Sequence, residues 1–272
     1  MGIMPEGDTV WRTARTLRLA LAGATLTHAD LRVPRHATAD LTGTVVADVV
    51  SRGKHLLVRV SSGKTLHTHL GMDGSWRVHR ARGALRRPAV PGPAGWRVRA
   101  VLANAQWVAV GTDLSRVDLV PTSGEAALVG HLGPDLLGPD WDADEVVRRI
   151  GCTPDRPIAE ALLDQRCLAG IGNLYQAETL YLRGVHPHTP VCAAGDLRRM
   201  VELARQLLTA NLDHPEQATT GRLRHGERHW VYGRVGLPCR RCGTAIATGT
   251  IGPATRERVA FWCPVCQPNA ER

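Results

Sequence analysis

Two Cys-x-x-Cys units near the C-terminus constrain the fold of this chain most strongly. Cys239 and Cys242 form the first unit, and Cys263 and Cys266 form the second after an interval of twenty residues. Each unit turns two thiolates toward one point, so two units supply the four tetrahedral sulfur ligands that Zn²⁺ accepts in proteins. Four thiolates leave no open position for a substrate, which is typical of a structural metal. The sequence therefore predicts one structural Zn²⁺ ion.

The segment between the two units, TAIATGTIGPATRERVAFW, is typical of a β-hairpin. Hairpin and metal together predict a zinc ribbon, whose folding energy comes from metal binding because so short a tail has little core of its own. The other three cysteines stand singly, at Cys152, Cys167 and Cys192. We expect buried thiols in a reducing compartment there, and no disulfide framework.

The composition indicates a well-packed protein with a polyanionic partner. Hydrophobic residues make up 43% of 272 residues, and the formal net charge is +9. Such an excess attracts polyanions, with nucleic acid the default candidate; the alternative, a basic balance that only aids solubility, stays open. We find no apolar run long enough to span a bilayer and no signal-peptide pattern, so we expect a cytoplasmic, nucleoid-associated protein that does not bind membranes.

Hydrophobic periodicity predicts a multidomain α+β protein. An N-terminal helix ending at Gly23 is followed by short β-branched runs with glycine breaks, which predicts a β-sandwich domain over residues 1–125. The Arg- and Pro-rich stretch around 81–95 within it is expected to be an exposed loop. Helical spacing then predicts a helical domain over 126–225, and a polar linker with the ribbon occupies 226–272.

A glycine-rich turn lies inside the helical region. The stretch LAGIGNLYQAETL places Gly170 and Gly172 between two helical patterns, with Asn173 as the expected N-cap of the second helix. Free amides at that helix start would form a phosphate site. An ordinary helix–turn–helix corner explains the same residues equally well, and the residues do not decide between the two.

Six motifs occur together and in order along the chain: P-E-G-D, R-G-K-H-L, H-L-G-M, A-G-I-G-N, V-Y-G-R and the four-cysteine ribbon. In this combination the chain resembles the formamidopyrimidine-DNA glycosylase and endonuclease VIII family of base-excision repair enzymes. The resemblance covers essentially the whole chain. It implies an N-terminal β-sandwich with a leading helix, a helix–two-turn–helix domain and a zinc ribbon. It further implies a monomer that binds double-stranded DNA containing oxidised bases or abasic sites, in a cleft between the domains.

The resemblance also implies a nucleophile, the secondary amine of an N-terminal proline, and Pro5 matches that position. A free α-amine has a pKa of about 8, so a useful fraction is unprotonated at neutral pH and can attack the sugar C1′ to form an iminium. Within a peptide bond the same nitrogen is an unreactive amide. We therefore expect translation to start at Met4, with that methionine removed. Removal of a longer extension, or a protein that binds without catalysis, are the alternatives, and Pro5 could also be only a first-turn helix residue.

Two further catalytic residues follow from the resemblance. Glu6 matches the family carboxylate that protonates the sugar or the departing base and relays protons during elimination. Its alternative role is to favour a helix N-terminus electrostatically. Lys54 matches the family lysine that assists catalysis and contacts the phosphate beside the lesion, whereas a strand lysine is ordinarily a solvated edge charge.

The resemblance assigns DNA contacts to five more residues: His69, Met72, Asn173, Tyr232 and Arg258. Met72 would fill the gap left by an everted base, although an ordinary core methionine is the alternative. His69, Asn173, Tyr232 and Arg258 would hold the DNA backbone. Glu178 matches a supporting acid, and a structural role bonding a cap is as plausible for it.

The match also bears on the substrate. The formamidopyrimidine branch commonly has glutamate where this chain has Thr9, and its D-P-R-R-F-G segment is replaced by TDLSRVDLV. Together with the short linker before the ribbon, these differences favour the endonuclease VIII branch, whereas Met72 resembles the purine branch. We predict a bifunctional DNA glycosylase and abasic-site lyase acting on oxidised pyrimidines. The alternatives are a formamidopyrimidine/8-oxoguanine glycosylase and a catalytically silent damaged-DNA-binding protein.

Overall fold

The computed structural model describes residues 5–81, 95–255 and 257–269. Most of the loop expected around 81–95 lies outside these residues. The chain divides into two compact units, one formed by Met1–Asp8 with Leu132–Arg272 and the other by Thr9–His131. We call them the helical unit and the sandwich unit. The three predicted domain boundaries stay predictions.

The sandwich unit contains two four-stranded antiparallel sheets. The first has the order β1-β6-β7-β5, and the second has the order β2-β3-β4-β8. The strands of the first sheet are β1 (His28–Leu31), β5 (Ser75–Arg80), β6 (Val98–Ala103) and β7 (Trp107–Thr112). Those of the second are β2 (Val46–Arg52), β3 (His55–Val60), β4 (Lys64–His69) and β8 (Arg116–Pro121). A short helix, α2 (Ala126–Val129), follows β8.

One apolar core joins both sheets to the first helix, α1 (Gly7–Leu21). Leu17 and Leu21 of α1 are fully buried, and they belong to the same cluster as Leu56 of one sheet and Leu102 of the other. The helix ends before Gly23, whose φ is +76°, a conformation that glycine adopts without steric cost. The predicted β-sandwich with a leading helix is confirmed.

Within its described residues, the helical unit contains four longer helices and one hairpin. The helices are α3 (Ala143–Gly151), α4 (Ile158–Leu163), α5 (Asn173–Arg183) and α6 (Leu197–Thr209). Asp142 caps α3 and Asp196 caps α6 through side-chain acceptors, a role that aspartate often takes at helix N-termini. The strands β9 (Ala247–Ile251) and β10 (Arg258–Trp262) pair antiparallel, which confirms the predicted hairpin between the cysteine units.

Helix α5 lies at the centre of this unit. Every residue from Asn173 to Tyr181 is buried, and the surrounding cluster includes residues of α4, α6 and the hairpin. Most buried polar groups are hydrogen-bonded, although both amide atoms of Gln176 and the hydroxyl of Thr179 have no hydrogen-bond partner among the described residues. The α5 side chains that do have partners, those of Asn173 and Glu178, therefore bear on the site. Among the described residues, no helix has the length and apolarity needed to cross a bilayer.

Candidate active site and metal centre

The carboxylate of Glu6 sits at the start of α5. Glu6 is fully buried, and its two oxygens accept hydrogen bonds from the backbone N–H of Gly172 at 2.6 Å and of Leu174 at 2.8 Å. The amides at a helix start are unsatisfied donors that favour a negative charge. Glu6 is thus fixed beside Pro5 by a helix that begins 167 residues later in the chain.

The glycine at this contact is required by space. A Cβ built on Gly172 would lie 2.4 Å from Cδ of Glu6, far inside van der Waals contact. Close by, Gly7 N–H donates to the carbonyl of Gly170 at 2.9 Å, and Gly170 has a φ of +101°. The glycine turn therefore allows the N-terminal segment to pack closely against the start of α5.

This geometry corrects two expectations for the turn. The N-cap residue of α5 is Gly172, and Asn173 is the first helical residue. The proposed phosphate site needs free amides, but those of Gly172 and Leu174 are bonded to Glu6. The anion at this helix start is a protein carboxylate. The alternative role considered for Glu6, at a helix N-terminus, is real but concerns a distant helix.

Asn173 faces the ribbon hairpin. Its Nδ2 donates to the carbonyl of Val259 on β10 at 2.8 Å, and its buried Oδ1 has no hydrogen-bond partner among the described residues. The neighbouring Arg258 opens β10 and is exposed. The amide of Asn173 thereby holds the strand that carries Arg258, and the predicted DNA contacts of both residues stay predictions.

Glu178 organises the segment before the ribbon. Its carboxylate accepts backbone hydrogen bonds at 2.8 Å from Trp230, Val231 and Tyr232, and it also accepts one from the hydroxyl of Thr219. Glu178 is fully buried. These bonds give it the structural role that the sequence left open as an alternative to a supporting acid.

Tyr232 is buried within the helical unit. Its ring lies edge-to-face against Phe261 with centroids 5.1 Å apart, and the residue is 6% exposed. Burial, with a smaller contribution from the negative charge of Glu6, raises the pKa of Tyr232 to about 12. The phenol is therefore protonated at neutral pH and can donate a hydrogen bond, which suits the predicted contact with a DNA phosphate.

The sandwich unit carries the other three predicted residues. Lys54 lies in the turn between β2 and β3, and not within a strand. His69 ends β4, and its Nδ1 accepts the N–H of Gly71 at 2.9 Å. Burial, followed by the charge of Lys54, lowers the pKa of His69 to about 4. Met72 is 64% exposed, which rules out the core-methionine alternative.

The second sheet also holds a polar group that sequence reasoning missed. His67 is fully buried on β4, and its Nε2 lies 2.8 Å from Nδ1 of His55 on β3. Its Nδ1 lies 3.4 Å from the carboxylate of Asp118 on β8. The available signal was the alternation of His67 and His69 in KTLHTHL, which puts both side chains on one face of a strand.

The four cysteines of the ribbon come together as predicted. The sulfur atoms of Cys239, Cys242, Cys263 and Cys266 all lie within 4.8 Å of one another. Backbone N–H groups of Arg241 and Cys266 point at the sulfurs of Cys239 and Cys263, each at 3.4 Å. The cluster can hold a metal ion, and four thiols with such stabilising donors suit a soft or borderline cation.

A tyrosine hydroxyl also contacts this cluster. The hydroxyl of Tyr181, near the end of α5, lies 3.2 Å from the sulfur of Cys239. The guanidinium of Arg241 stacks over the Tyr181 ring, 4.6 Å from its centroid. A donor and a cation beside the sulfurs favour the thiolate form that a metal requires.

The expectation of buried thiols at the single cysteines is wrong for two of them. Cys152 and Cys192 are exposed, and Cys167 is partly buried. Cys152 follows the last turn of α3 and Cys192 lies in a short 3₁₀ turn, Val191–Ala193. Both positions are at element ends, where the chain meets solvent.

Fold and site together define a family. Residues 4–118 match the formamidopyrimidine-DNA glycosylase N-terminal domain, and residues 132–219 match the formamidopyrimidine-DNA glycosylase H2TH domain. The chain belongs to the formamidopyrimidine-DNA glycosylase family, as its motifs predict.

Three relatives show which members of the family the chain is similar to. It is 52% identical over 268 residues to a Mycobacterium tuberculosis protein named endonuclease 8 2, covering 97% of this chain and 100% of the relative. It is 47% identical over 264 residues to the Mycolicibacterium smegmatis DNA-(apurinic or apyrimidinic site) lyase Nei2, covering 97% and 99%. A Paracoccus denitrificans formamidopyrimidine-DNA glycosylase is 33% identical over 288 residues, covering 97% and 100%. The enzyme class predicted from the sequence agrees with these names.

Solved structures agree in fold. The MutM (Fpg) protein of Thermus thermophilus matches with a TM-score of 0.75 at 29% identity, covering 97% of this chain and 98% of that one. Lactococcus lactis Fpg, solved non-covalently bound to DNA containing an AP site, matches with a TM-score of 0.76 at 23% identity, covering 97% and 100%. The predicted fold class is confirmed.

Proposed function

We propose that this protein is a bifunctional DNA glycosylase and abasic-site lyase that acts through a Schiff base at Pro5. The observation that carries the proposal is the buried Glu6 carboxylate, fixed on the amides of Gly172 and Leu174 directly after Pro5. A carboxyl group held by two backbone donors is pre-positioned for proton transfer beside the amine.

Each residue has a defined task in the reaction. The Pro5 nitrogen attacks C1′ and loses its proton, the C1′–base bond breaks, and the base leaves with a proton that Glu6 is placed to relay. The C1′–O4′ bond then breaks as O4′ takes a proton, and the ring-opened sugar becomes an iminium of Pro5, which acidifies the C2′ hydrogen. Loss of that proton expels the 3′ phosphate and cuts the strand. Lys54 assists catalysis and binds the phosphate beside the lesion.

Pro5 is a nucleophile only as a chain terminus, because an amide nitrogen has no basic lone pair. The proposal therefore includes a mature protein that begins at Pro5, made from a start at Met4. The match to the family's N-terminal domain, which begins at residue 4, supports this.

DNA is the proposed partner, with five residues in contact with it. His69, Tyr232, Asn173 and Arg258 would bind the backbone, and the exposed Met72 would enter the stack where the damaged nucleotide leaves it. Glu178 would support them by holding residues 230–232. Such an enzyme would work on nucleoid DNA in the cytoplasm.

We further propose that Cys239, Cys242, Cys263 and Cys266 hold one structural Zn²⁺ ion. Four sulfurs in a group of this size fit tetrahedral zinc without an open position. When bound, the ion closes the ribbon and thereby fixes β9 and β10. No catalytic step needs it.

For the substrate we propose oxidised pyrimidines. The support is the endonuclease 8 name of a relative at 52% identity, against 33% for a formamidopyrimidine-DNA glycosylase, together with Thr9 in place of the glutamate typical of that branch. The second candidate, a purine-lesion glycosylase, is favoured by Met72.

Borohydride trapping tests the proposal. Protein produced from Met4, with Pro5 verified as its first residue by intact mass, is incubated with duplexes carrying one oxidised pyrimidine, one 8-oxoguanine opposite cytosine, or one abasic site. We expect a covalent band with the first and third duplexes, lost in Pro5→Gly with the initiator retained. A band on 8-oxoguanine in place of the pyrimidine would select the second candidate. No band on any duplex, with retained binding, would leave a damage-binding protein.

A further inference from the structure

The polar group missed by sequence reasoning spans three neighbouring strands. In the strand register, His67 on β4 is opposite Asp118 on β8, and His69 is opposite both His55 on β3 and Arg116 on β8. Cross-strand neighbours of this kind are within side-chain contact. The reaction proposed above uses only His69 among them.

The contacts form a chain of three groups. Nδ1 of His55 lies 2.8 Å from Nε2 of His67, with the two rings inclined by 21°. Nδ1 of His67 faces an oxygen of Asp118 at 3.4 Å; this is an ion-pair contact, and Nδ1 makes no hydrogen bond within the described residues. Arg116 also binds that oxygen at 3.2 Å. His67 is fully buried, so its ring nitrogens have no access to water.

These partners determine where the protons lie. A neutral imidazole has one N–H and one acceptor nitrogen. The carboxylate of Asp118 is an acceptor, so the proton of His67 belongs on Nδ1 and its Nε2 accepts. Nδ1 of His55 must then donate, which leaves Nε2 of His55 as an acceptor. The Gly71 N–H at 2.9 Å requires an unprotonated Nδ1 on His69, whose proton is therefore on Nε2.

The surroundings favour neutral rings. Burial lowers the pKa of His55 to about 3, aided by the neighbouring His69, His67, His131 and Arg116. Burial also lowers the pKa of His67, against an opposing effect of Asp118. His69 follows the same direction, with Lys54, His67 and Arg116 as its charged or titratable neighbours. A proton added to His55 or His69 would lie near the positive charge of Arg116.

We propose that Asp118 and His67 are positioning residues that fix His55 with its proton on Nδ1, and that His55 in turn holds His69 as a neutral N–H donor for a DNA phosphate. The last link is the edge-to-face packing of His55 on His69, with centroids 5.2 Å apart and an angle of 81°. The DNA contact of His69 rests on the proposed function, whereas the proton pattern does not. A neutral donor adds a hydrogen bond to a phosphate but releases no counterion.

Nuclear magnetic resonance tests the proton pattern without DNA. Long-range ¹H–¹⁵N correlation on the ¹⁵N-labelled full chain at pH 7 distinguishes protonated from unprotonated ring nitrogens. We expect Nδ1–H for His55 and His67 and Nε2–H for His69. A proton on Nε2 of His67, or a doubly protonated ring at any of the three, would overturn the relay whether or not the protein acts on DNA.

DNA binding tests the positioning role. With a duplex carrying a stable abasic-site analogue, we expect Asp118→Asn to weaken binding about three- to tenfold, the effect of one hydrogen bond, and to mix the tautomers of His67. Asp30→Asn on β1, which alters a surface ion pair with Arg32, is the matched control and should bind like the wild type. Asp118→Asn with wild-type affinity and a folded spectrum would overturn the positioning role.

Salt dependence separates a neutral donor from a cation at His69. We expect His69→Gln to weaken binding with an unchanged slope of affinity against salt, whereas Lys54→Ala should reduce the slope by about one ion. An equal reduction in His69→Gln would contradict the neutral donor. If the wild-type protein does not bind the duplex, the proposed function fails, and the resonance measurement still decides the relay.

Discussion

The carboxylate of Glu6 accepts the backbone N–H of Gly172 at 2.6 Å, although the two residues are 166 positions apart. The bond joins the segment that carries the proposed nucleophile to the start of α5, a helix buried from Asn173 to Tyr181. Glu6 occupies the space where a Cβ of residue 172 would lie. The position of the Glu6 carboxylate therefore requires glycine at residue 172.

Replacing that glycine is the most direct test of this dependence. In Gly172→Ala the new Cβ would collide with Glu6, and we expect a loss of about 1–3 kcal/mol in the free energy of unfolding from overpacking. Borohydride-trapped product should fall by about 100-fold or more, on the scale of a lost acid–base catalyst. Gly151→Ala at the end of α3, where a Cβ meets nothing within 4 Å, is the control. Normal trapping by the Gly172 variant would mean that the exact placement of Glu6 is unimportant.

Replacing Glu178 should lower the free energy of unfolding, because its role is structural. Glu178→Gln replaces one acceptor oxygen with a donor amide facing the N–H groups of residues 230–232, and an unsatisfied buried donor costs about 1–3 kcal/mol. Urea unfolding measures the loss. Glu202→Gln on α6, a half-buried position with a loose 3.9 Å ion pair, should change stability very little. Equal effects of the two substitutions would contradict the structural role of Glu178.

The cysteine cluster should contain one zinc ion per chain. Cys242→Ser removes one ligand of the four, and we expect zinc content measured by mass spectrometry to fall, together with protection of the ribbon amides from hydrogen exchange. Cys192→Ser changes an exposed thiol outside the cluster and should keep full zinc. Zinc retained equally by both variants would exclude the tetrahedral four-cysteine site.

Acid should destabilise the sandwich unit through its histidines. The pKa values of His55 and His69 fall from the ordinary 6.5 to about 3 and about 4, so the folded state binds fewer protons than the unfolded chain. The contribution of these neutral rings to the free energy of unfolding is fully present above pH 6.5. It falls as the pH drops toward 4, by up to about 1.4 kcal/mol per pH unit for each ring. His55→Gln should flatten this slope between pH 6.5 and 5 in denaturant titrations, whereas His225→Gln, at an exposed position, should not. An unchanged slope in His55→Gln would show that His55 binds protons equally in the folded and the unfolded chain, contrary to its lowered pKa.

Replacing Met72 should slow the reaction on duplex DNA without changing the stability of the fold. Since its side chain is 64% exposed, we expect Met72→Ala to change the free energy of unfolding by less than about 0.5 kcal/mol. Trapping on a lesion in duplex DNA should slow by about 10-fold, because the gap left by eversion is unfilled. Trapping on a single-stranded abasic oligonucleotide, which needs no eversion, should be unaffected. Leu19→Ala, at another exposed apolar position, is the control, and equal slowing on both DNA forms would argue against the wedge.

Local patterns in the sequence determined much of this protein. The spacing of Cys239, Cys242, Cys263 and Cys266 predicted the cluster, and period-two and helical patterns predicted the sandwich, the leading helix and the hairpin. These features depend on residues that are neighbours in the chain or repeat at a fixed interval. Because helices, strands and turns have fixed backbone geometry, such spacing predicts them directly.

Only the tertiary structure decided which distant groups satisfy one another. Asn173 was the expected cap of α5, but the amides at that helix start are taken by Glu6, which leaves Asn173 to hold β10. The exposure of Cys152 and the pairing of His67 with Asp118 were likewise invisible in the sequence. A buried donor or acceptor must find a partner, and which partner it finds depends on the strands and helix ends that folding brings beside it, which no local spacing records.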